Sequence, residues 1–323
     1  MKNANISKPT ISRRNSISRR NSIYLSKLIF FSGLLSSSTI SSEHLKGHKN
    51  MQIDEKSPKL KKGYGDGIHG QIHYRYAEST NVANIPLVCL HPSPLSSIVY
   101  DNWLIEMAKD RYSIAPDTPG YGGSDTPKSP PKIEELADAM ITFLDSIGLE
   151  RVDVMGYHTG SLTSADLAMR YPDRIRKVVM ISAPIFDEKI IKEYSKRIYD
   201  PPPSFVDILD QTSSNIKNKG KDMFRDVPTD DRYADFSIER IRHYRTSNWG
   251  FRAAFAYDLT KSLTLINQPV LILNPEDDLW ELTPLAEPHL KNGRIHDLPG
   301  WTHGHLDTYT EEMAKVVRSF LDE

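Results

Sequence analysis

The sequence predicts an α/β fold in which a mostly parallel sheet is covered by helices on both faces. From about residue 64 onward, short apolar segments alternate with amphipathic ones, and this alternation is typical of parallel strands joined by helical crossovers. Residues 187–268 interrupt the alternation with a polar, aromatic-containing stretch, and the strand pattern resumes at Pro269. We therefore expect one domain at 61–323 that carries a mostly helical insertion at about 187–268.

Apolar runs bounded by turn residues predict the strands. In chain order they are Ile68–Tyr76, Ile85–Leu90, Arg111–Pro116, Val152–Met155, Val178–Ser182, Pro269–Asn274 and Ile295–Leu298. Apolar residues at spacings of three and four predict a helix from Ile133 to Ile147, which Gly148 ends. Ligands of such sheets bind at the carboxyl ends of the strands, so the loops that follow the strands are where we expect the functional residues.

Composition excludes several classes of function. The chain has 323 residues and a formal net charge of −1, which gives no overall field for binding nucleic acid. The single cysteine, Cys89, lies in an apolar run and excludes an intrachain disulfide framework. No phosphate-binding loop or Gly-x-Gly-x-x-Gly motif is present, so we expect no cofactor. We also expect no metal, although His91, His158, His303 and Asp278 are the residues that could converge on one. A small molecule is the expected partner, and the oligomeric state stays open.

The N-terminal segment, residues 1–60, differs from the rest of the chain. It repeats Ile-Ser-Arg-Arg-Asn-Ser, contains no acid before Glu43, and carries one short apolar run at Leu28–Leu35. A basic head, an apolar middle and a small-residue tail are typical of an export signal, and the paired arginines resemble a twin-arginine motif. A disordered basic arm is the alternative, so localisation is open between export and the cytoplasm. The apolar run is too short for a stable membrane span.

The stretch Arg151–Ser164 predicts a sharp strand-to-helix turn. Gly156 and Gly160 bracket the turn, and the residue at its centre is His158. Such a turn presents its central side chain at the carboxyl edge of the sheet, and the glycines supply the room it needs. A hydrolase normally carries Ser, Cys or Asp at this position, so the chemistry of an imidazole there is the main question.

Four motifs together resemble the α/β-hydrolase superfamily, over about residue 64 to the end. They are His91-Pro92-Ser93-Pro94, Asp117-x-Pro119-Gly120-x-Gly122-x-Ser124, the elbow Gly156-Tyr157-His158-Thr159-Gly160, and Pro275-Glu276-Asp277-Asp278 followed by Gly300-Trp301-Thr302-His303. The resemblance implies an α/β-hydrolase fold in which the insertion at 187–268 is the cap. The chain departs from the family pattern at two positions. His158 stands where the family has its nucleophile, and Pro92 stands where the family has glycine.

The resemblance also implies a role for each site residue. His303 is expected to be the general base and Asp278 the acid that orients it, with Asp277 as the competing acid. The backbone N–H groups of Ser93 and Thr159 are expected to form the oxyanion hole. His91 is expected to fasten the oxyanion loop.

Three roles are open to His158: a covalent nucleophile, a base or holder of water beside His303, or a remnant in a non-catalytic pocket. We expect hydrolysis of a small, largely apolar ester, lactone or related carbonyl compound through His158, Asp278 and His303. Two other hypotheses remain. One is a ligand-binding or sensor protein on the same scaffold, and the other is a cofactor-free lyase or oxygenase that uses a histidine pair.

Overall fold

The computed structural model describes residues 58–79, 83–195, 203–217 and 229–323. In this part of the chain, eight strands form one sheet in the order β1-β2-β4-β3-β5-β6-β7-β8. The strands are β1 (Leu60–Gly67), β2 (Gly70–Ala77), β3 (Leu87–Leu90), β4 (Ser113–Pro116), β5 (Val152–Tyr157), β6 (Ile175–Ile181), β7 (Val270–Pro275) and β8 (Gly293–Leu298). Strand β2 pairs antiparallel with both of its neighbours, and β3 to β8 all run parallel to one another.

Helices cover both faces of the sheet. One face packs against α1 (Asp101–Met107) and α10 (Thr310–Asp322), and the other packs against α2 (Ile133–Ser146), α3 (Thr159–Arg170) and α8 (Leu259–Leu265). Strand β3 shows why two cores form: Leu87 and Cys89 join the first core, whereas Val88 and Leu90 join the second. Successive side chains of a strand point to opposite faces, so a fully buried parallel strand must be apolar on both.

The expected insertion is helical where the structure describes it. Between β6 and β7 the chain forms α4 (Glu188–Ser195), α5 (Phe205–Lys217), α6 (Asp230–Arg242) and α7 (Trp249–Ala256) before it reaches α8. Helix α8 falls inside the expected insertion but contributes Leu259 and Leu263 to the core over the sheet. Its apolar face is therefore used in the same way as that of α3.

The N-terminal expectations lie almost wholly outside the described residues. The predicted export or disordered segment, residues 1–60, is described only from residue 58, and Leu60 already begins β1. Within the described residues, no helix combines the length and the apolar character that crossing a membrane requires.

Candidate active site

The turn between β5 and α3 holds His158 in a strained backbone conformation. Its φ is 50° and its ψ is −112°, a region that a non-glycine residue rarely adopts. A Cβ at Gly156 would clash with the carbonyl oxygen of Gly160, and a Cβ at Gly160 would clash with that of Leu90. The close approach of the backbone therefore requires both glycines, and it leaves the central side chain directed at the carboxyl edge of the sheet.

An acid on the loop after β7 binds the imidazole of His158. His158 Nε2 lies 2.9 Å from Asp277 Oδ2. The same carboxylate accepts the Ser182 hydroxyl at 2.6 Å and, through Oδ1, the N–H of Leu279 at 2.8 Å. The side chain of Asp277 is fully buried. Because β6 lies between β5 and β7, Ser182 at the end of β6 sits between the elbow and the acid.

The second histidine stands beside the first with its own carboxylate. His303 Nε2 lies 3.1 Å from Asp278 Oδ1, and His158 Nε2 lies 4.0 Å from the same oxygen. The two imidazole rings are 5.4 Å apart and nearly perpendicular, at 82°. The structure thus places His158, Asp278 and His303 together and adds Asp277, so that two His–Asp pairs face each other.

The charges of the two pairs are coupled. Burial alone would raise the pKa of Asp277 and lower that of His158, but their mutual attraction and hydrogen bond outweigh it. The pKa of Asp277 is therefore held well below its usual range, and the pKa of His158 is raised. The hydrogen bond from His303 and the charge of His158 likewise outweigh burial and lower the pKa of Asp278. Both carboxylates are ionised at neutral pH, which favours the protonated form of His158.

The loop after β3 provides a rigid frame for the site. The buried ring of His91 accepts the N–H of Thr118 at Nε2, 2.9 Å away, which leaves Nδ1 to donate to the carbonyl oxygen of Pro92 at 3.1 Å. Through these two contacts His91 links the loop after β3 to the loop after β4. Among the described contacts, neither the N–H of Ser93 nor that of Thr159 donates a hydrogen bond to the protein. Both N–H groups are available to a ligand.

Two adjoining cavities share His158 and Asp278 in their lining. The larger, of about 150 Å³, is lined by His158, Asp278 and His303 and by side chains of α5, α6 and α7. The smaller, of about 80 Å³, adds Thr159 and the apolar side chains of Leu162, Phe186 and Phe255. Of the aromatic residues in the insertion, Tyr233, Phe236, Phe251 and Phe255 line these cavities. The insertion thus supplies aromatic side chains to both cavities.

Four side chains of the site have the chemistry of metal ligands. One ligand atom from each of His158, Asp277, Asp278 and His303 lies within 4.8 Å of the others. Imidazole and carboxylate groups suit several divalent transition metals. Nε2 of each histidine already faces a carboxylate oxygen, so a bound cation would have to replace these two contacts.

Comparisons with known proteins agree with this architecture. The family model described as "alpha/beta hydrolase fold" matches residues 85–279, more than half of the 323-residue chain. The chain belongs to the alpha/beta hydrolase fold family. The predictions of the superfamily, of the fold class and of a hydrolase from this superfamily are confirmed at that level.

Individual relatives span most of the fold. The chain is 27% identical to a bifunctional esterase/perhydrolase from Acinetobacter calcoaceticus over 258 residues, which are 73% of this chain and 91% of that protein. It is 24% identical to a non-heme chloroperoxidase from Streptomyces lividans over the same shares. The crystal structure of an enol-lactonase from Burkholderia xenovorans superposes with a TM-score of 0.64 at 20% identity, covering 81% of this chain and all of that one. This last likeness concerns the fold alone.

Two contacts of the site were not anticipated from the sequence. Asp277 was expected only as a competitor for the role of Asp278, whereas it binds the elbow histidine. Ser182 was not singled out. Its position directly after β6, the strand between the elbow strand and the acid strand, was the signal that could have identified it. His305, two residues after His303, is fully buried, and its Nδ1 lies 2.6 Å from the carbonyl oxygen of Thr302. Burial lowers the pKa of His305 to about 4.

Proposed function

We propose that this protein hydrolyses a small, largely apolar ester, lactone or related carbonyl compound at the site formed by His158, Asp278 and His303. The observation that carries the proposal is that two His–Asp pairs lie beside two adjoining cavities, whose lining includes Ser93 and Thr159, the residues with the two available backbone N–H donors. The esterase activity named for the relative from Acinetobacter calcoaceticus supports the same class of reaction.

We further propose that water, and not His158, attacks the carbonyl carbon. His158 Nε2 is held by Asp277, and the raised pKa of His158 favours its protonated form. An imidazolium has no lone pair with which to attack. It is, however, a proton donor, and its positive charge stabilises negative charge that develops beside it.

In this mechanism, the substrate carbonyl oxygen accepts hydrogen bonds from the N–H groups of Ser93 and Thr159. His303 removes a proton from a water molecule as the new carbon–oxygen bond forms, and Asp278 stabilises the resulting imidazolium. The tetrahedral intermediate collapses, the bond to the leaving oxygen breaks, and His158 protonates that oxygen. A proton then returns from His303 to His158. The net reaction converts ester and water to acid and alcohol.

A single-turnover experiment tests the proposal. A panel of activated esters with short apolar acyl groups is mixed with excess enzyme, and intact mass is recorded alongside product release. We expect product without an acyl adduct, in the wild type and in the slower His303→Ala variant. Both His158→Ala and His303→Ala should turn over more slowly than the wild type, whereas His296→Ala, which alters an exposed histidine on β8, should not.

Two results would contradict the mechanism in different ways. An acyl adduct mapped to His158 would keep hydrolysis but make His158 the nucleophile. Saturable binding of the esters with no turnover of any of them would favour a ligand-binding protein. The elbow has no oxygen or sulfur nucleophile, which is also consistent with that function.

A further inference from the structure

The helical wall of the larger cavity carries a guanidinium without an acidic partner. Arg240 on α6 lines the cavity together with Tyr233, Phe236 and Ser237, at helical spacings of three, four and seven that place all four on one face. Its NH2 group donates to the neutral side chain of Gln211 at 3.0 Å, and its Nε is buried without a hydrogen-bond partner. Among the residues that the structure describes, no carboxylate forms an ion pair with Arg240.

A second buried donor lines the same cavity. The hydroxyl of Thr212 on α5 is buried and has no partner in the described part of the chain, and Asn215 follows it one turn later. Helices α5 and α6 pack against each other. A buried polar group without a partner destabilises a fold by about 1–3 kcal/mol, and more when the group is charged. Two such groups on one cavity wall indicate that a ligand completes their hydrogen bonds.

The charges elsewhere in the cavity are already balanced. Asp307, which also lines it, pairs with Arg232 at 2.9 Å, and Asp278 pairs with His303. Burial lowers the pKa of Arg240, and only Tyr233 opposes this effect. An anion bound to Arg240 would remove the cost of that burial.

We propose that the substrate carries a carboxylate, which Arg240 and Thr212 bind at the helical wall while its ester or lactone carbonyl lies at the paired histidines. The guanidinium donates to the carboxylate oxygens and the Thr212 hydroxyl donates a third hydrogen bond. This proposal names the substrate class of the proposed hydrolysis and rests on that function for its kinetic test. Much of the remaining lining is apolar, and it includes Leu95, Val99 and Leu306. We therefore expect the part of the substrate between its two ends to be largely apolar as well.

The kinetic test compares two esters of equal length. Mono-4-nitrophenyl glutarate ends in a carboxylate, and 4-nitrophenyl pentanoate ends in a methyl group. We expect the wild type to prefer the glutarate in kcat/KM. Arg240→Gln should lower that preference about ten- to a hundredfold, the range for losing a hydrogen-bonded charge, and Thr212→Val should lower it severalfold. Arg240→Lys should retain part of it.

The matched control is Arg242→Gln on the same helix. The side chain of Arg242 is 57% exposed, and its ion pair with Glu239 is long, at 3.7 Å. This substitution makes the same change in net charge and should leave the preference unchanged. An equal loss in Arg242→Gln, or an unchanged preference in both Arg240→Gln and Thr212→Val, would overturn the proposal.

A binding measurement separates this proposal from the proposed function. Glutarate itself is titrated by calorimetry into the wild type, Arg240→Gln and Arg240→Lys. Binding to the wild type that Arg240→Gln abolishes supports the carboxylate site even if no ester is hydrolysed. Hydrolysis of the pentanoate ester with no glutarate binding and no preference for the charged ester would keep the hydrolase and refute the carboxylate site.

Discussion

Replacing Asp277 with Asn tests the contact on which the site depends. The carboxylate is fully buried and accepts three hydrogen bonds, from His158, Ser182 and Leu279. An amide keeps the volume but removes the charge. It has only one acceptor oxygen, so at least one of the three donors faces an NH2 group. Breaking a buried ion pair from one side typically costs about 3–5 kcal/mol, and we expect a loss of that size near pH 5.5.

The loss should depend on pH in a defined direction. The pKa of Asp277 is lowered, so this group is ionised throughout the range from about pH 5.5 to 9. The pKa of His158 is raised. The ionic stabilisation from protonated His158 is therefore complete below the ordinary histidine pKa of about 6.5, and it is lost as pH rises through the folded-state pKa. Above that pKa, a neutral N–H still donates to the carboxylate, a bond of about 1.5–3 kcal/mol. The difference between the two proteins should therefore shrink as pH rises.

Urea unfolding of the wild type and Asp277→Asn at about pH 5.5 and 9 measures this difference. Asp173→Asn, which changes an exposed carboxylate, should stay within about 0.5 kcal/mol of the wild type at both values. If Asp277→Asn lost the same free energy at both values, the ionic interaction with His158 would not contribute and the pairing argument would be refuted.

Three further predictions follow from the site. His303→Ala should lower turnover by about two to four powers of ten without unfolding the protein; unchanged turnover on every ester would show that His303 is not the base. Gly160→Ala should prevent folding or cost several kcal/mol in urea unfolding, because its Cβ would clash with the carbonyl oxygen of Leu90. At Gly148, which has a φ of 75°, an added Cβ would meet nothing within 4 Å. Gly148→Ala should therefore lower the free energy of unfolding by only about 1–2 kcal/mol. An equal loss at Gly160 and Gly148 would contradict the packing argument. Dialysis against a chelator should leave kcat unchanged, because both histidines already have carboxylate partners; a loss that zinc restores would show that the four side chains hold a metal.

The sequence predicted most of the architecture because the buried parallel strands are apolar on both faces. Strands β3, β4, β5 and β7 are buried along their whole length, so their apolar runs stand out. Strand β1 was missed. It lies at the edge of the sheet and contains Lys61, Lys62 and Gly63, and its side chains are mostly exposed or half-buried. Charged residues protect an edge strand from pairing with another chain, and they also hide its strand pattern.

The site was predictable where it depends on motifs and not where it depends on register. His158, His303 and the loop of His91 follow from their glycine and proline neighbours. The partner of His158 depends on which of two adjacent acids turns inward after β7. Asp277 does so because its Oδ1 accepts the N–H of Leu279 and so closes a tight turn. That choice depends on one hydrogen bond from a backbone N–H to a side-chain oxygen, which the residue types alone do not reveal.

The elbow accommodates an imidazole because the backbone, and not the side chain, builds this part of the fold. Gly156 and Gly160 set the turn, and the N–H groups of Ser93 and Thr159 stay available whatever side chain stands at position 158. An imidazole reaches farther than a hydroxymethyl group, and its Nε2 is what contacts Asp277. A serine at this position would be too short to make that contact. It would leave Asp277 with the Ser182 hydroxyl and the Leu279 N–H as donors. The acid and the histidine therefore form one unit, and changing either one shifts the pKa of the other.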